Sequence, residues 1–346
     1  MVLKIKPPKA YPVPNADGLN STYAWHPGMR DYDGKGKVIL RVSKSSLGAF
    51  QFCQQQYFIK YVLGVKEPST DDMTRGTNVH DAVEDFYNDL DVDEVLKLTY
   101  KDELDTQQIY DHFLSKIPTS SKEKEWGGVI TPSAPFALDE GQHLDRFMKA
   151  EAVRFANSNV EHFIPSGNEI SRDVVVSIDV GNTSVLVHLT GIIDRVFTDE
   201  EGRLHIHELK TGAWKLNNKT KLDGMRKEMA FYAYMIQKSD GIETSYWGWD
   251  HTKGVKDSGE DRIYRFIEPV QIAGITGMLK DLTSLVESHM AYFGGYSGDS
   301  YEILSGGAER FICEPWCRVK GYCPKYERAL MPYDMKQQIT GDAKND

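Results

Sequence analysis

The sequence predicts an α/β protein with a mixed β-sheet core flanked by helices, and three observations predict it. The runs DVVVSIDV from Asp173, TSVLVHLTGIIDRVF from Thr183 and RLHIHELK from Arg203 have strand composition, with turn formers at Gly181-Asn182 and Asp199-Glu200-Glu201-Gly202 between them. Ahead of these runs, apolar residues recur at helical spacing. Beyond them, the stretch from about Val270 to Phe293 reads as one long amphipathic helix. Both periods in one chain place helices against a sheet.

With 346 residues and 40% hydrophobic content the chain can bury a large core. No run approaches the roughly 18 apolar residues of a membrane span, and the start MVLKIKPPKAYPVP lacks the apolar stretch of a signal peptide. A cytoplasmic protein with no membrane attachment is the expectation. The formal charge of −10 argues against a protein that coats nucleic acid non-specifically, while leaving room for a local basic groove.

Residues 1–38 are rich in Pro, Gly and Asn and read as an extended arm whose Tyr11, Tyr23, Trp25 and Tyr32 pack on a surface. Residues 39–330 read as a single domain. Ser43, Ser45 or Ser46 caps a first helix with Leu47, Phe50, Cys53, Tyr57 and Tyr61 at helical spacing, and Gly64 ends it. A second helix opens after Gly76-Thr77, with Val79, Val83, Phe86 and Leu90 as its apolar stripe and His80, Glu84 and Tyr87 alongside. Residues 92–163 form a mainly helical insertion, with helices near 93–116 and 138–163. The loop from Pro118 to Pro135 is a candidate lid. The sheet core, 164–268, adds strands at Thr244–Asp250 and Arg262–Ile267. Residues 269–330 hold the long helix and three cysteines, and 331–346 read as a flexible tail.

The hairpin carries the first chemical signal. A three-residue loop Glu200-Glu201-Gly202, with Gly at the position of positive φ, sets Asp199 against Arg203 and therefore Asp194 against Glu208. Directly opposed residues have Cβ atoms roughly 4.5–5.5 Å apart, so the two carboxylates repel unless a cation sits between them. Lys210 shares the face of Glu208, and the Leu209 carbonyl points along the sheet between them. Ile192, Ile193, Val196, Phe197, Leu204 and Ile206 surround the acids, where a carboxylate needs a metal or a full hydrogen-bond network. A helix packed across the hairpin lets His80 supply a nitrogen ligand, with Glu84 one turn on as its outer partner. The alternative is a polar hairpin whose Lys210 neutralises its own acids. Beyond it, Trp214 and the run Lys215, Lys219, Lys221, Arg226 and Lys227 are either a solvated loop or a phosphate-binding surface with Trp214 stacking on a base.

The second signal is the trio Cys313, Cys317 and Cys323, spaced C-x3-C-x5-C. In a chain without a secretory signal it reads as metal ligands rather than disulfides, and Cys53 is the one other cysteine. Four thiolates suit tetrahedral Zn²⁺ or a [4Fe–4S] cluster, and spacing does not separate them.

Together these residues resemble the RecB-like branch of the PD-(D/E)XK nucleases, most closely iron–sulfur members such as the CRISPR-adaptation exonucleases and the AddB-type nuclease domain. The matching elements are Ser45-x-Leu47-x-x-Phe50-x-x-Cys53, Gly76-x-x-x-His80, Gly191-x-x-Asp194, Glu208-x-Lys210 and the cysteine trio. The resemblance implies a restriction-endonuclease-like fold and a metal-dependent DNA exonuclease, acting on single strands or DNA ends in repair or recombination. It further implies an iron–sulfur staple joining the N- and C-terminal parts. His80, Asp194, Glu208 and the Leu209 carbonyl would hold Mg²⁺ or Mn²⁺, Lys210 would orient the attacking water, and Trp214, Lys215, Arg226, Glu228 and Tyr232 would meet the substrate. No G-x-x-x-x-G-K-[ST] motor motif is present, so the chain would need single strands, frayed ends or a helicase or recombination partner. Two positions depart from the pattern: Glu228 stands where Gln is usual, four residues before Tyr232, and the first gap of the trio is three residues where two is frequent. Two other classes remain: a DNA-end-binding or assembly subunit with a vestigial site, and a structural or redox iron–sulfur protein whose carboxylates balance lysines.

Overall fold

A computed structural model of the chain describes residues 29–31, 38–62, 65, 67, 70–100, 103–126, 129–216, 218–256, 258–289, 313–315, 317–323 and 326. Most of the expected arm, the aromatic residues assigned to it, Gly64, Phe293 and the tail 331–346 lie outside these residues.

In chain order the elements begin with β1 (Met29–Asp31), β2 (Val38–Ser43), α1 (Lys44–Phe52), α2 (Gln54–Tyr57), α3 (Asp71–Asn88) and α4 (Val92–Val95). Next come β3 (Thr99–Tyr100), β4 (Glu103–Leu104), α5 (Thr106–Lys116), β5 (Lys124–Trp126), β6 (Val129–Thr131) and α6 (Leu138–Asn157). The chain continues with β7 (Gly167–Val180), β8 (Thr183–Thr198), β9 (Leu204–Lys210), α7 (Lys219–Asp240), β10 (Thr244–His251), β11 (Tyr264–Pro269) and α8 (Ile272–Ser288). The expected class is what the structure has, a mixed sheet flanked by helices. The expected lid is not plain loop: β5 and β6 form a hairpin within it, and Ser120 bridges to Pro135. Among the described residues no helix is long and apolar enough to cross a membrane.

The chain divides into two compact units. The first comprises Met1–Pro68, Asp173–Gly191 and Ile275–Asp346. Its strand β1, which composition had assigned to the arm, pairs antiparallel with β2, and β2 runs parallel to the first half of β8 from Leu40↔Val187 to Ser43↔Thr190. Val42, Val187 and Leu189 are fully buried, and along β8 buried Val185, Val187 and Leu189 alternate with half-buried Leu186 and His188, the period of a strand with one face in the core. Ser43 caps α1 as expected, in a reciprocal box: the Ser46 amide donates to Ser43 Oγ at 3.2 Å and the Ser43 amide to Ser46 Oγ at 2.8 Å. The single helix expected after it is broken. Cys53 is extended, with φ −163° and ψ 115°, ending α1 and opening α2, and a π-helical turn follows over Phe58–Val62. The Tyr57 hydroxyl then meets His289 Nε2 at 2.6 Å, just past α8.

The second unit comprises Ser69–Arg172 and Ile192–Gly274. The hairpin has the register read from the sequence: Thr198↔Leu204 through Arg195↔His207, closed by a turn in which Gly202 has φ +75°. The Asp199 amide donates to the Arg203 carbonyl at 3.1 Å. Strand β9 is parallel to β10, which is antiparallel to β11. Helices α3, α5 and α6 supply an aromatic core of Phe86, Phe113, Phe147 and Phe155, which Phe163 joins from the connection after α6 and Leu209 from β9. A buried ionic chain backs it: Arg195 donates to Asp250 at 2.8 Å, Arg265 to Glu151 at 2.6 Å, and Arg154 to Glu151 at 2.6 Å. Burial alone would raise Glu151, but Arg154 and Arg265 outweigh it and bring it down to about 2. Such a chain fixes geometry, since removing one partner strands a buried charge.

Candidate active site

The candidate site lies wholly in the second unit. Period two on β9 sends Leu209 into the aromatic core, so Glu208 and Lys210 project from the other face. There Lys210 Nζ pairs with the Glu208 carboxylate and lies 3.1 Å from Glu228 Oε2 on α7. Glu208 is 1% exposed, a depth at which the ammonium partner offsets much of its desolvation. Tyr232, one turn along α7 from Glu228, is buried beside the same acids. Its hydroxyl is held well above its ordinary value, by burial first and then by Glu208 and Asp194.

Helix α3 brings His80 to the hairpin from the other side. Its Nε2 is 3.0 Å from the Leu209 carbonyl, which only accepts, so Nε2 carries the proton and donates. The other ring nitrogen, Nδ1, then faces two carboxylates, Asp194 Oδ2 at 3.4 Å and Glu169 Oε1 at 3.6 Å. Asp194 Oδ2 also accepts from the Leu209 amide at 2.8 Å, which fixes its direction. One ligand atom from each of His80, Glu169 and Asp194 lies within 4.8 Å of the other two. Burial opposes charge on His80, yet Asp194 and Glu169 outweigh it and hold its pKa above the ordinary value. Asp194 is pushed up as well, by burial first and further by Glu208, against the pull of His80. One nitrogen and two carboxylate oxygens, crowded and mutually repelling, suit a hard divalent ion such as Mg²⁺ or Mn²⁺.

Several sequence expectations change here. Glu169 was missed. It sits near the start of β7 with φ +45°, a left-handed conformation uncommon for Glu, and it turns its carboxylate onto His80. No periodicity singles it out: it is a lone acid between Asn168 and Ile170. Glu208 is not a member of the 4.8 Å group. The Leu209 carbonyl is engaged by His80, and Glu84 pairs with Lys122 at 3.5 Å rather than backing His80.

The expected substrate surface is largely internal. Trp214 is 7% exposed and stacks on Tyr264, ring centroids 6.1 Å apart with 4° between planes, so it is not free to stack on a base. Arg226 grips Glu268 with two hydrogen bonds of 2.6 Å. Tyr232 is 3% exposed, and Glu228 is engaged with Lys210, while Lys215 is exposed. Residue type alone does not fix which way a side chain faces.

The four cysteines all belong to the first unit and form no disulfide. The Cys317 thiol is pushed up to about 11, by burial first and then by the neighbouring thiols of Cys313, Cys323 and Cys53. Gln56 Nε2 faces Cys317 Sγ at 4.0 Å. Among the described residues no three of these sulfurs lie within 4.8 Å of one another. Four thiolates about 2.3 Å from a single zinc would sit closer together than that.

The family described as the PD-(D/E)XK nuclease superfamily matches residues 41–324. Among solved structures, the chain is similar to the protein SSO0001, at 14% identity with a TM-score of 0.29, covering 51% of this chain and 65% of that one. The chain thus spans less than two thirds of that protein. It is also similar to a candidate exonuclease from Eubacterium rectale, at 12% identity with a TM-score of 0.39, covering 74% of this chain and 82% of that one. No curated protein matches.

Proposed function

Since this chain belongs to the PD-(D/E)XK nuclease superfamily, we propose that it is a Mg²⁺- or Mn²⁺-dependent deoxyribonuclease, acting as an exonuclease on single-stranded DNA or DNA ends. The observation that carries this reading is the convergence of His80 Nδ1, Glu169 and Asp194 within 4.8 Å, on the hairpin that also presents Glu208 and Lys210. His80, Glu169 and Asp194 would hold the divalent ion, which when bound would supply Lewis-acid polarisation of the scissile phosphate and lower the pKa of water. The chain's own residues do the rest. Asp194, fixed by the Leu209 amide, and His80, fixed by the Leu209 carbonyl, hold the donor set in place. Lys210, tethered between Glu208 and Glu228, orients the attacking water and neutralises charge that builds on the phosphate oxygens. Glu228 accepts from Lys210 Nζ at 3.1 Å, where an amide would also offer donors. A helicase or recombination partner would present the strand.

We propose that Cys53, Cys313, Cys317 and Cys323 hold a [4Fe–4S] cluster. The electrostatic influence of Cys313, Cys323 and Cys53 on the Cys317 thiol supports it. A closed zinc site is the alternative outcome of metal analysis.

The test of the catalytic reading is incubation of anaerobically purified protein with 5′- and 3′-labelled single-stranded and duplex DNA, with Mg²⁺, Mn²⁺ or EDTA. Metal-dependent shortening from one end is expected. Retained binding of DNA ends with no cleavage under any of these conditions would make the protein an end-binding subunit instead.

A further inference from the structure

A second feature of the same unit begins where the candidate site stops. A cavity of about 600 Å³ is lined by Asp72, Arg75, Thr211, Gly212, Lys253 and Lys256 among others. Two elements run into it from the site. Thr211 and Gly212 directly follow Lys210, the last residue of β9. On α3, Asp72 and Arg75 precede His80, Arg75 by five residues or about 7.5 Å of helix rise. The two elements touch here, since a Cβ added at Gly76 would meet Thr211 Oγ1 at 3.7 Å.

The charges in the cavity are not equivalent. Arg75 is divided between Asp72 and Asp139, each at 2.8 Å, and brings no excess charge. Lys253 and Lys256 are exposed, and among the described residues no carboxylate pairs with either. Their backbone is nevertheless fixed. Gly254 between them has φ +65°, and any Cβ there would lie 2.4 Å from the Arg262 carbonyl, so only glycine fits. The Trp214 amide donates to the Gly254 carbonyl at 2.8 Å, and the Lys256 amide donates to the Trp214 carbonyl at 2.6 Å. The Thr252 amide donates to the Lys210 carbonyl at 3.0 Å, tying the turn to the catalytic strand. Two exposed ammonium groups on a fixed turn, with no carboxylate partner among the described residues and a backbone tied through Thr252 to the Lys210 carbonyl, complement a polyanion better than a single small ion. Buried Trp214 is the scaffold of that turn.

We propose that this groove holds the phosphodiester backbone of a single DNA strand as it enters or leaves the catalytic site, with Lys253 and Lys256 as its phosphate contacts. The proposal rests on the nuclease reading and names the path of its substrate. The expected consequence is an affinity term that depends on salt and is indifferent to sequence.

The experiment measures binding of a fluorescein-labelled single-stranded oligonucleotide by anisotropy in EDTA, over a range of salt concentrations. The full-length parent, the Lys253→Ala/Lys256→Ala double variant and Lys238→Ala, which removes an exposed lysine from the end of α7, are compared. The double variant should bind about ten-fold more weakly near 0.1 M salt, and its dependence of log K on log salt should be shallower by about 1.4, from about 0.7 per lost phosphate contact on a single strand. Lys238→Ala should change neither quantity, and melting curves should be alike for all three proteins. A double variant with the parent's affinity and salt slope, beside a parent that binds and cuts, overturns the groove alone. A parent that neither binds nor cuts any strand overturns the nuclease reading and the groove with it.

Discussion

The unit that carries the acids and the unit that carries the cysteines gather their ligands in opposite ways. In the acid-bearing unit, Asp194 and its neighbour Glu208 belong to one hairpin, and its register sets their positions through a handful of residues and a glycine turn. Around them the polar groups are tied one to another: His80 to Leu209, Asp194 to the Leu209 amide, Lys210 to Glu208 and Glu228. In the cysteine-bearing unit, the proposed ligands come from opposite ends of the chain, Cys53 from one and Cys313, Cys317 and Cys323 from the other, and Gln56 Nε2 lies 4.0 Å from Cys317 Sγ. The difference teaches where each should fail. A site made by local register survives loss of its ion with its geometry intact, whereas ligands assembled across a whole chain hold their place through the group they share.

The largest expected effects break the acid side. Asp194→Ala and Glu208→Ala should each lower cleavage by roughly three orders of magnitude while the far-UV circular dichroism stays that of the parent. Lys210→Ala should slow single-turnover cleavage by about a hundred-fold while Mn²⁺ affinity is kept. Loss of metal affinity with normal turnover at saturating Mn²⁺ would reassign the lysine to ion binding.

The cysteine side breaks differently. As-purified parent should be brown with broad absorbance near roughly 400 nm, from iron–thiolate and iron–sulfide chemistry. Cys53→Ala should bleach it and cost about 3–5 kcal/mol of stability, because the bond that closes the longest loop is lost. A colourless parent with about one zinc per chain, and a Cys53→Ala variant of parental stability, would remove the cluster from the comparison.

A smaller effect sharpens it through pH. In the acid-bearing unit, buried His143, His207 and His251 are pushed down to about 4, 3 and 4, in each case by burial first. Unfolded, each would titrate near about 6.5, so between that pH and its folded value the unfolded chain binds more protons. Their stabilisation is therefore complete above about pH 6.5 and falls as pH drops toward 4, by up to about 1.4 kcal/mol per histidine per pH unit. Urea unfolding followed from pH 7 to 4.5 should show this slope. His207→Gln should make it shallower by one proton, and an unchanged slope would mean that His207 charges in the folded state.

The sequence disclosed the parts of this molecule that local rules govern. The hairpin was legible because Gly202 marks its turn and alternation marks its faces, and His80 was legible because its helix and the acids were found separately. The serine cap of α1 was legible for the same reason, but the break at Cys53 was not, because neither Gly nor Pro announces it. Glu169 escaped because its conformation, φ +45°, is imposed by tertiary contacts, and one acid in a strand has no pattern. Trp214 and Arg226 were misjudged because composition reports charge and aromaticity while burial and pairing are set by the fold. The cations that do face an open groove, Lys253 and Lys256, stand apart from the basic run that drew the eye.

The measurement that bears most directly on the account is a Mn²⁺ titration of thermal unfolding in the parent, Asp194→Ala and Glu169→Ala. If His80, Glu169 and Asp194 hold the ion, the parent gains about 2.7 kcal/mol at a Mn²⁺ concentration one hundred times its dissociation constant. Asp194→Ala should then be insensitive to Mn²⁺ across that range, and Glu169→Ala should respond only at higher concentration. The same Mn²⁺ stabilisation in Asp194→Ala as in the parent would place the ion elsewhere and contradict the site.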